Sequence, residues 1–94
     1  MSLTRNSAET IALQVLAWLV GNEELLPVFL GATGASEADL RNAVGDTEFL
    51  GSVMDFILMD DAWIVAFCDA QHLPYEQLAQ ARQAMPGGGQ VHWT

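Results

Sequence analysis

The strongest constraint in this chain is the helical period of its apolar residues, cut at intervals by capping residues and glycines. Phe49, Leu50, Val53, Met54, Ile57 and Leu58 recur at helical spacing and form one continuous stripe, which Phe56 widens. No segment keeps a period-two alternation for long, so no strand is predicted. Ser36, Asp46 and Asp60 stand where a side-chain oxygen can cap a helix N-terminus. Gly21, Gly34 and Gly45 stand where a helix can stop. At 94 residues the chain is one domain. The reading is all-α, a compact single-domain array of five or six short helices over 1–86. Pro86 and the glycines at 87–89 end regular structure, and 87–94 reads as a flexible C-terminal tail whose Trp93 could dock back.

The individual helices follow from the same signals. Asn6 is expected to cap the first, with Glu9 in the capping-box position. Ile11, Val15, Trp18 and Leu19 share one face, and Leu13, Leu16 and Val20 widen it, as in a central helix. Asn22 is expected to cap the second, which either begins near Glu24 or bends at Pro27 and ends at Gly31 and Gly34. The third runs from Glu37 to about Val44 behind a Ser36–Asp39 capping box and should bury Leu40, Ala43 and Val44. Asp60 and Asp61 open the fifth, whose face is Trp63, Ile64, Phe67 and Cys68 and which ends near His72. Pro74 opens the sixth, with Leu78, Ala81 and Met85 inward. The first, fourth and fifth helices are expected at the centre. The expected core is Ile11, Val15, Leu19, Phe29, Leu40, Phe49, Leu50, Val53, Ile57, Ile64, Phe67 and Leu78.

Charge narrows the function classes. Three arginines and no lysine stand against 12 acids, a formal net charge of −9. Nucleic acid would repel such a chain, because binding phosphates needs a basic stripe. The third and fourth helices have helix-turn-helix spacing, but the second of the pair carries Glu48 and Asp55 and no base. Anionic membrane surfaces are disfavoured for the same reason. The longest apolar run is seven residues, 62–68, far short of a span. Glu9 and Gln14 break the apolar stretch after Arg5, and no small-x-small cleavage site follows. With one cysteine and no disulfide framework, a cytoplasmic location is expected. The acidity keeps an apolar domain soluble, and it would also attract a basic protein partner.

Two clusters have chemical potential. Cys68 and His72 lie four apart on one helix, a spacing suited to two metal ligands or to a thiol beside a base. The plainer reading buries Cys68 with Trp63, Ile64 and Phe67, and leaves His72 at a helix C-terminus. Asp55, Asp60, Asp61 and Asp69 could hold a hard cation or transfer protons, but they lack calcium-loop spacing and read as caps. The triple glycine follows no strand and precedes no lysine, so it is not a phosphate loop. No nucleophile elbow is present. No catalytic constellation and no cofactor site emerge.

An apolar excess remains: three Trp, four Phe and four Met in a domain too small to hide them all. Trp18, Phe56 and Trp63, rimmed by Asp60 and Asp61, are the candidate partner surface. The expected function is a protein-interaction module or homodimer, not an enzyme. The alternative is an enzyme or metal-binding protein using Cys68, His72 and the neighbouring aspartates.

The run 17–26 (Ala-Trp-Leu-Val-Gly-Asn-Glu-Glu-Leu-Leu), the segment 29–34 and Asp39-Leu40-Arg41 resemble an alphaproteobacterial family, domain-of-unknown-function family 3572. Phe49-Leu50, 53–58 and Ala66-Phe67-Cys68 extend the resemblance, which covers about 9–87. Pro27 departs from the usual pattern. The resemblance implies a helical domain and assigns no activity, cofactor or site residue.

Overall fold

The computed structural model describes residues 4–85. They hold six helices and no strand: α1 (Arg5–Val20), α2 (Leu25–Thr33), α3 (Glu37–Arg41), α4 (Thr47–Ile57), α5 (Asp61–Gln71) and α6 (Glu76–Gln83). The proposed tail, with His92 and Trp93, lies outside the described residues.

Most helix starts follow the capping residues. The Ser36 hydroxyl accepts from the Asp39 N–H at 3.2 Å, and the Asp39 carboxylate accepts from the Ser36 N–H at 2.9 Å, completing a capping box. Asp46 accepts from the Phe49 N–H and Asp60 from the Ala62 N–H. Gly34 (φ 71°) and Gly45 (φ 89°) adopt the left-handed backbone that side chains disfavour. The first helix differs from expectation. Thr4, with extended backbone at φ −74°, ψ 161°, is its cap and accepts from the Ser7 N–H. Asn6 already lies inside the helix, and Glu9 pairs with Arg5 at 3.4 Å.

Asn22 does organise the second start, its side-chain oxygen accepting from the N–H groups of Glu24 and Leu25. Pro27 is then in the first turn of α2, where no intrahelical N–H is needed, so no bend is required. Gly31 lies within α2, and only Gly34 ends it. α1 and α2 meet at 118° across the break at 21–24.

The frame is α1 packed on α4 and α6, with α2 against α1 and α4. α6 packs on α1 and α4, while α5, expected at the centre, reaches the core through Phe67 and Cys68. α6 needs only small inward residues, Ala81 beside Leu78, to come close to α1 and α4. Nine of the expected core residues are buried, while Leu40, Phe49 and Ile64 pack half-buried on its edge. Val44 is 77% exposed, because α3 ends at Arg41 and the chain turns outward before Gly45.

Polar cross-links are few. Arg82 of α6 donates to both oxygens of Asp55 on α4, at 2.7 and 3.3 Å. Its guanidinium lies over Gly51, where an added Cβ would sit 3.4 Å from it. An alanine at Gly51 would therefore touch the guanidinium at ordinary van der Waals distance.

Candidate functional site

The residues expected to form a partner surface separate. Phe56 is 3% exposed and belongs to the core, so it is not surface. Its ring packs edge-on to Phe29 at 5.2 Å and stacks on Trp63 at 4.6 Å and 20°. The helical stripe of α4 is wide enough that Phe56 still faces inward. Trp63 is half-buried as the outer plate of this stack. Trp18 is half-buried elsewhere, edge-on to Phe67 at 5.8 Å. Asp60 and Asp61 are exposed at the start of α5.

The Cys68–His72 pair is not presented together. Cys68 is 1% exposed. Burial pushes its thiol above the ordinary value, and the Asp69 and Glu76 carboxylates push it further. Such a thiol holds its proton and is a poor nucleophile and ligand. His72 is exposed and turns into the left-handed region at φ 58°, which ends α5. Both His72 and Leu73 donate their N–H groups to the Cys68 carbonyl. The aspartates are also occupied structurally: Asp55 by Arg82, Asp60 as a cap, Asp69 by the Tyr75 hydroxyl at 3.0 Å. Among the described residues no three His, Cys, Asp or Glu side chains gather as a metal site.

A markedly apolar hollow, a shallow groove of about 490 Å³, lies beside α5 and α6. Leu58, Ile64, Val65 and Ala79 give its apolar lining, Tyr75 one wall, and Asp61 and Glu76 its acidic rim. Asp61, Ile64 and Val65 follow one face of α5 at i, i+3 and i+4. Glu76 and Ala79 follow one face of α6. Tyr75 is held by its hydrogen bond to Asp69, and that bond also raises the phenol above its usual value. The sequence reading reached only Asp61 of this set as a partner-surface residue. Val65 lay off the apolar stripe of α5, and that displacement was the available signal. A second hollow, of about 250 Å³, is lined by Asp39, Asp46 and Glu48 beside Phe49. Two of those acids are already helix caps.

No single described helix is long and apolar enough to cross a membrane. The described residues form a small all-α domain whose α5 and α6 line a shallow apolar groove. Residues 5–88 match the model of a family described as protein of unknown function (DUF3572). The chain belongs to that family. It has no match among curated proteins or solved structures.

Proposed function

We propose that this protein is a protein-interaction module, a binder and not an enzyme, whose docking face is the groove between α5 and α6. The observation that carries this reading is the pairing of an apolar lining with a carboxylate rim at Asp61 and Glu76. Apolar contact supplies affinity, and rim charges set orientation and partner choice. A second copy fits less well than a different protein, since it brings the same net charge of −9. The groove holds no Cys, Ser, Thr or Lys nucleophile beside a base. Nucleic acid and anionic membrane are disfavoured by the same charge. A cytoplasmic setting agrees with a single buried, unpaired thiol.

The test is quantitative affinity capture with the wild-type chain and with Val65→Asp, alongside light scattering of each. Val65 is 39% exposed, and circular dichroism of the variant, whose new acid stands four residues from Asp61 and Asp69, checks that α5 is still folded. A partner recovered near stoichiometry by the wild type and lost with the variant is the expected outcome. Equal recovery by both would reject the groove, and a wild-type dimer dispersed by Val65→Asp would replace the heterologous partner with a second copy.

A further inference from the structure

Resting on that reading, we infer that the groove takes a basic amphipathic helix of a partner protein. The apolar lining bounds the length of the occupant. Asp61 to Val65 spans about 6 Å along α5, roughly one helical turn. A segment seated there presents one or two apolar side chains and then leaves the groove. Its flanking residues meet Asp61 on one helix and Glu76 on the other.

Charge selects the flanking chemistry. No lining residue is basic. The chain's arginines face their own carboxylates: Arg5 pairs with Glu9, Arg41 with Glu37 and Arg82 with Asp55. The rim acids therefore have no ion-pair partner among the described salt bridges. An incoming Lys or Arg on either side of the apolar anchor supplies one.

The shape of the lining selects helix over the other forms a peptide can take. An extended peptide docks by adding to a sheet edge, and the described residues contain no strand. A proline-rich segment docks on a row of aromatic rings, and this groove has Tyr75 alone. Two helix faces flanking an apolar trough are what a third helix packs into, with anchors at i and i+3 or i+4.

The experiment is a display selection of random peptides of about 16 residues, or roughly four helical turns, against the full chain. Enriched peptides are then titrated into isotope-labelled protein and followed by amide chemical shifts. The inference expects enriched sequences with an apolar pair at i, i+3 or i+4 flanked by Lys or Arg, and shifts centred on Ile64, Val65 and Ala79. Asp61→Asn with Glu76→Gln should weaken these peptides about tenfold, the effect of removing two exposed ion pairs within their usual range. Binding should also fall with added salt. Enrichment of neutral or acidic peptides, indifference to the double variant, or no enrichment would overturn the inference. If Val65→Asp still abolishes capture of the natural partner in those cases, the interaction reading stands and only the basic helix is rejected.

Discussion

Single side chains explain why the most reactive-looking residues here are structural. Cys68 sits in the core with its thiol held protonated by burial and by the carboxylates of Asp69 and Glu76. The sign of its contribution to stability follows from linkage. Its folded pKa lies above the unfolded one, so above the ordinary thiol pKa the unfolded chain loses this proton first. Stability is then lost as pH rises, from about pH 8 upward. Cys68→Ala should show a smaller loss of melting temperature between about pH 8 and 10 than the wild type. A thiol-specific reagent should react with Cys68 only as fast as the protein opens; rapid labelling of the native state would contradict the burial argument.

At the scale of the element, each helix is framed by its ends more than by its interior. α5 shows this best. Asp60 caps its start, and His72 closes it in a left-handed conformation that glycine adopts without strain. His72→Gly is expected to stabilise the domain by up to about 1 kcal/mol in urea unfolding. A loss of stability would mean the imidazole makes a contact worth more than the backbone strain. Caps of this kind were legible in the sequence because each needs only one local side chain: Ser36, Asp46 and Asp60 all act as expected. The start of α1 was misread because Thr4 and Asn6 are both good caps. Backbone conformation, which the sequence does not carry, decides between them. Val44 was misread because α3 stops at Arg41, before the helical period reaches it.

The whole molecule is a frame of α1, α4, α6 and α2, whose core α5 reaches through Phe67 and Cys68. Periodicity gave the apolar face of every helix but not which helices meet, since crossing geometry depends on residue size at the contact. Phe56 looked like surplus apolar surface for that reason, and the packing of Phe29 and Trp63 on it was not readable in advance. The groove was missed because it belongs to two helices at once, and Val65, off the apolar stripe of α5, marks only one side of it. Net charge also acts at this scale. With −9 on a domain whose Cα radius of gyration is 12.4 Å, self-repulsion opposes folding. Raising sodium chloride from about 0.05 to 0.5 M should therefore raise the melting temperature by a few degrees. A fall would mean that ion pairs such as Arg82–Asp55 outweigh the repulsion.

The Asp55–Arg82 contact has a consequence for how this family can diversify. Every residue that lines the groove, from Leu58 to Ala79, lies in the stretch of chain between those two partners. The bridge works as a clasp, tying α6 back to α4 at the two ends of the stretch that carries α5. Inside the clasp, an exposed position such as Val65 can change without reaching the core. Selection can then vary the exposed positions of this stretch while the scaffold beneath it stays constant.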